Sequence, residues 1–136
     1  MSLAKVTKLH ILNESWTIGM RRVDKIVEQE ESNGYIAIST GIYSHLADII
    51  VIDPNMTLPP DSNYDPIVRV YEVTNYNSPD EYIQLARAER YRDNLIQFKA
   101  KKIFVCSYEE NLRYLPDGRG FFEQHGIEVR VVGAQD

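Results

Sequence analysis

The stretch 67-IVRVYEV-73, with 47-ADIIVID-53 before it, decides how this chain is read: each is an apolar run carrying one carboxylate, Glu72 near the end of the later run and Asp48 at the start of the earlier. A carboxylate bordering a buried strand has to be solvated, paired or bound to a cation, because desolvating it alone is costly. Both runs are rich in β-branched residues and bounded by Pro, Asn and Asp, which makes them strands. The link between them, 54-PNMTLPPDSNYDP-66, is polar and proline-rich and suits an exposed hairpin loop rather than a crossover helix. The strands are therefore expected to be antiparallel neighbours. A hairpin roughly symmetric about its proline pair sets the start of one beside the end of the other, so Asp48 is expected to meet Glu72.

Working outward, 35-YIAIS-39 reads as a strand preceding these two. Upstream of it, Asn13 or Ser15 suits the cap of a helix running to about Ser32, with Asn33 and Gly34 as its stop. Trp16, Met20, Val23 and Val27 recur at helical spacing as the buried stripe of that helix. Glu30 continues the stripe toward the core side, or lies in water on a frayed last turn, whereas Glu28 and Glu31 point away. Downstream, 78-SPDE-81 reads as a helix start, with Ser78 as cap, Pro79 at the first helical position and acids in the first turn. The helix is expected over 79–98, as the longest of the chain. A strand 102-KIFVCS-107, short helical regions around 109–115 and 119–126, and a last strand 127-IEVRVV-132 complete the order.

Composition limits the functions available. With 136 residues, 43% hydrophobic and 26% charged, the chain fits one globular domain over 1–136. No apolar run approaches the roughly 20 residues that span a bilayer, and the N-terminus lacks a signal pattern, so no membrane partner and an intracellular, cytoplasmic location are expected. Cys106 sits in an apolar run and reads as a small buried hydrophobe. One cysteine and three scattered histidines cannot build a structural zinc site by the usual spacings, so any metal is expected on oxygen ligands. A net charge of -5 argues against coating nucleic acid through bulk positive field. Even so, Arg87, Arg90, Arg92, Lys99, Lys101 and Lys102 crowd one segment against Glu89 and Asp93, as either a basic face or solvated surface.

The order helix, three strands, helix, strand, with Asp48 opening the second strand and Glu72 in the third, resembles the PD-(D/E)xK nuclease superfamily, whose members include restriction-endonuclease-like and Holliday-junction-resolvase-like enzymes. The resemblance spans about residues 18–107. Its residues are an acid from the leading helix, here Glu30 or Glu28, the strand-opening Asp48, and a Glu-x-Lys strand end, here 72-EVT-74 with Thr74 in place of lysine. It implies an α/β fold, with a restriction-endonuclease-like central mixed sheet in αβββαβ order flanked by helices, plus a C-terminal helix-strand extension.

The activity so implied is Mg²⁺- or Mn²⁺-dependent hydrolysis of DNA, in which the cation polarises the phosphate and acidifies water. Asp48 and Glu72 would be metal ligands, the backbone carbonyl of Val73 a third, Glu30 an outer ligand, and His45 a member of the outer ring. Thr74 shares a strand face with Glu72 and would position the water without supplying the lysine's charge. In some members the cation migrates to the following helix, which nominates Arg87 and Arg90, although arginine cannot accept a proton. Gln84, Arg87, Tyr91, Lys101 and Lys102 would then meet nucleic acid. A homodimer is also implied, with Tyr108, Tyr114, Phe121 and Phe122 as exposed apolar area.

The plainer readings are a loop position for His45, helix surface for Gln84, core for Tyr91, and a solvated pair at the sheet margin for Asp48 and Glu72. Two other classes compete with the enzyme. One is a catalytically silent domain of the same fold that binds nucleic acid or protein, motivated by Thr74. The other is a small Rossmann-like or flavodoxin-like binding protein, which lacks support because no Gly-rich turn follows a strand and the early strands have no helices between them.

Overall fold

The chain enters the described fold through helix α1 (Glu14–Ser32), whose end is set by backbone geometry. Gly34 takes φ 92°, its amide donates to the Glu31 carbonyl at 3.0 Å, and the Tyr35 amide donates to the Glu30 carbonyl at 3.1 Å. This pair of bonds closes the last turn and turns the chain into the sheet. The structure is a computed structural model that describes residues 14–40, 46–54 and 65–133, with α1 side chains described from Arg21 onward. Asn13 and the Trp16 and Met20 side chains lie outside the described residues, as does most of the hairpin loop; Ser15 falls inside the helix. Val23 and Val27 pack on the sheet as the helical stripe requires.

Five strands follow: β1 (Ile36–Ser39), β2 (Ile49–Ile52), β3 (Ile67–Val73), β4 (Lys101–Cys106) and β5 (Ile127–Val131). They form one mixed sheet in the order β1-β2-β3-β4-β5. β2 is antiparallel to both β1 and β3, whereas β3, β4 and β5 are mutually parallel. The parallel pairs need crossovers, and helix α2 (Leu85–Ile96) supplies the first. A 3-10 turn (Glu109–Leu112) and the short helix α3 (Gly120–Glu123) lie in the second. Apolar side chains alternate along β3, so Val70 faces α2 and α3 while Tyr71 faces α1. The result is an α/β fold with helices on both sides of the sheet.

Two expectations are corrected. The helix expected over 79–98 begins only at Leu85, which makes α1, at 19 residues, longer than α2 at 12. Tertiary hydrogen bonds hold the preceding segment out of the helix. The buried Asn111 amide donates to the carbonyls of Ser78 at 3.1 Å and Glu81 at 2.8 Å, and Arg113 donates to those of Pro79 and Asp80. Carbonyls taken in this way are withdrawn from an i to i+4 ladder, and Ile83, inserted into the core, donates its amide to the Asn111 carbonyl at 2.8 Å. The second correction concerns Phe121 and Phe122, which are core rather than surface: Phe122 stacks on Phe104 at 4.1 Å between centroids. Only Tyr114 of the four aromatic residues is strongly exposed, so the apolar surface on which a dimer was expected is largely internal. Among the described residues no helix is long and apolar enough to cross a membrane.

Candidate functional site

The β2–β3 register pairs Ile49 with Tyr71, and the next step outward sets Asp48 against Glu72. The contact is reciprocal. The Asp48 amide donates to Glu72 Oε1 at 3.0 Å, and the Val73 amide donates to Asp48 Oδ2 at 2.8 Å. Glu72 is 2% exposed, so two acids share one desolvated corner at the strand ends. Burial pushes the Asp48 carboxyl up to about 6. Burial, and then the Asp48 charge beside it, push Glu72 higher still, against the hydrogen bonds from Asp48 and Asn94 that favour its ionised form. Two carboxylates so placed share protons unless a cation neutralises them.

The inner face of α2 completes this corner. Glu72 pairs in register with Phe104, whose ring lies 5.5 Å from that of Tyr91. Arg87, exposed on α2, lies near enough to Tyr91 and Tyr76 for both to favour its charge, while Tyr91 feels the charges of both Glu72 and Asp48. Burial pushes the Tyr91 phenol well above its ordinary value, so it stands as a neutral donor beside the acids. Arg87, Tyr91 and Asn94 recur at i, i+4 and i+7. That spacing was the available signal for Asn94, which sequence reasoning missed.

Thr74 is buried, and its hydroxyl donates to the Val105 carbonyl at 2.9 Å, fastening the end of β3 to β4. Its own carbonyl accepts from Arg22 at 2.6 Å, and Arg22 also donates to the Gly133 carbonyl at 2.5 Å. Arg22 thus joins α1 to the ends of β3 and β5. Sequence reasoning missed it too, although it precedes Ile26 and Glu30 at i+4 and i+8, on the flank of the buried stripe.

The other candidates lie apart from the pair. Glu30 is buried on the α1 side of the sheet, where Arg69 donates to both of its oxygens at 2.7 Å and the Tyr71 hydroxyl donates at 2.6 Å. Because Tyr71 and Glu72 are adjacent in β3, they face opposite sides of the sheet, and Glu30 does not join the Asp48–Glu72 cluster. Lys101 pairs with Arg69 in register and Lys102 with Val70, toward the other end of β3 from Glu72. Gln84 and Arg90 are exposed on α2 and its start, and His45 lies outside the described residues. Among the described residues no group of three or more His, Cys, Asp and Glu side chains gathers into a metal cage. Neither protein-family models, curated proteins nor solved structures give a match to this chain.

Proposed function

We propose that this chain is a metal-dependent nuclease of the PD-(D/E)xK type that hydrolyses DNA phosphodiester bonds. The observation carrying the reading is the Asp48–Glu72 contact, two acids in one buried corner at the margin of a mixed sheet. Elements α1, β1, β2, β3, α2 and β4 follow the αβββαβ order that the resemblance implies, which supports a restriction-endonuclease-like core.

The residues fit a hard divalent cation. Mg²⁺ is commonly held by one or two carboxylates with substrate phosphate and water completing its shell, so a pair without a third acid suffices. Asp48 and Glu72, with the Val73 carbonyl, would hold Mg²⁺ or Mn²⁺, which when bound would polarise the phosphate and acidify water. The Val73 amide orients Asp48, and the Asp48 amide together with Asn94 orients Glu72. Arg87, whose charge Tyr76 and Tyr91 favour, supplies positive charge from α2 to the approaching phosphate. Thr74 brings no charge, so the reaction lacks a preorganised cation whose loss costs about 10²–10³ in rate. The activity is therefore slow.

A second reading, a silent nuclease-fold module that binds nucleic acid or protein, is favoured by the commitment of the Thr74 hydroxyl to Val105. Incubation with labelled linear, circular and branched DNA and Mn²⁺ separates the two. The enzyme cuts at least one substrate, loses this in Glu72→Ala and gains rate in Thr74→Lys. If wild type and Thr74→Lys bind Mn²⁺ and cut nothing, the silent module is the correct reading.

A further inference from the structure

On the α1 side of the sheet, away from the carboxylate pair, a pocket of about 490 Å³ opens among Glu30, Tyr35, Arg69, Tyr71, Lys101 and Arg130. A chain of polar side chains runs through it. Arg69 lies over the Tyr35 ring, 4.4 Å from its centroid, and binds Glu30 through two hydrogen bonds; Glu30 in turn accepts from Tyr71. Arg130 sits 5.9 Å from the Tyr71 ring centroid and pairs with Glu128, which also takes Lys101 at 3.2 Å. Three cations of the pocket therefore face one carboxylate of its lining, Glu30, and one beyond it, Glu128, in a protein whose net charge is -5.

The two halves of the chain differ in kind. Glu30 is buried, and its oxygens are taken by Arg69 and Tyr71. At the other end, Lys101 and Arg130 share the single carboxylate of Glu128, with side chains 55%, 42% and 39% exposed. Exposed pairs of this sort hold weakly, so an incoming anion can displace Glu128 at little cost. We propose that this pocket is a phosphate-binding site, with Lys101 and Arg130 as its ligands and Glu128 as the carboxylate that phosphate displaces. A dianion matches two cations where one carboxylate does not, and the planar guanidinium suits two phosphate oxygens at once. Glu30, already neutralised by Arg69, contributes little repulsion at the pocket floor. The site is independent of the proposed cation at Asp48 and Glu72, because it lies across the sheet from them.

The test uses the full chain in EDTA, with binding followed by calorimetry for inorganic phosphate, a 5′-phosphorylated trinucleotide and the same trinucleotide without its 5′-phosphate. Binding of the first two, with the unphosphorylated trinucleotide weaker, supports a site for a free or terminal phosphate dianion; equal binding of both trinucleotides, with inorganic phosphate weaker, identifies a monoanionic internal diester instead and overturns the proposal. Lys101→Ala and Arg130→Gln should each weaken phosphate binding about tenfold, the loss of one charged hydrogen-bonding partner. Glu128→Gln should tighten it severalfold, because the competing carboxylate is gone. The proposal is overturned if none of the three probes binds at millimolar concentration, or if Glu128→Gln leaves affinity unchanged or weaker while its thermal midpoint shows the variant folded.

Discussion

Asp48 and Glu72 are locked through each other's strands: the Asp48 amide donates to the Glu72 carboxylate at 3.0 Å, while the Asp48 carboxylate accepts from the amide of Val73, next to Glu72, at 2.8 Å. The acids are thus oriented by backbone, and neither can turn away from the other without giving up its bond to the facing strand's amide. Charge repulsion is built into the folded state, and a bound cation or proton relieves it.

The first consequence is a pH dependence of stability. Burial raises both carboxyls, Asp48 to about 6, and the Asp48 charge pushes Glu72 further still, so the folded state binds more protons than the unfolded chain at neutral pH. Stability from this source is full below the ordinary carboxyl range and is lost as pH rises through the raised values. In EDTA the thermal midpoint should fall between pH 5 and pH 9 by roughly several degrees more in wild type than in Glu72→Gln. A wild-type curve parallel to that of the variant would remove the repulsion.

Glu30 is expected to serve stability rather than the carboxylate site. In Glu30→Gln, the Arg69 guanidinium loses its buried partner and Tyr71 a charged acceptor, at a cost of about 2 kcal/mol or roughly 6–10 °C in Tm. Mn²⁺ affinity should be unchanged, since the residue lies across the sheet. A tenfold loss of Mn²⁺ affinity in a folded Glu30→Gln would return it to the metal shell.

Asn111 holds the 78–84 segment against its own helical tendency. Asn111→Ala removes the amide donor to the carbonyls of Ser78 and Glu81, leaving Arg113 on the second, and should cost about 1–3 kcal/mol, read by chemical denaturation. A small gain in helical circular dichroism should accompany it as Pro79 and the acids after it recover their role as a helix start. Unchanged stability would show that these bonds do not restrain the segment.

What was legible in the sequence follows from the range of the interactions involved. The antiparallel hairpin was readable because β-branched runs, a proline-rich link and period-two alternation are all local signals. The meeting of Asp48 with Glu72 followed from that register alone. The start of α2 was not readable. Ser78, Pro79 and the acids after them are a sound local cap, overridden by Asn111 and Arg113 some thirty residues later. For Glu30 the sequence left two placements open, the inward stripe and water on a frayed last turn, and the structure takes the first; its partner was not foreseen, because Arg69 read as one residue of a strand, and nothing local ties it to a helix that ended long before. Phe121 and Phe122 were misjudged as surface because a four-residue helix is too short to display its buried face as periodicity.

Titration of Mn²⁺ into the metal-free protein at pH 8, with Asp48→Ala and Glu72→Ala alongside, tests most directly whether the carboxylate pair is a cation site. Wild type is expected to bind one Mn²⁺ with release of protons from the raised carboxyls, and each variant, still folded, to lose that binding. No Mn²⁺ binding by wild type, or undiminished binding in either variant, would contradict the site.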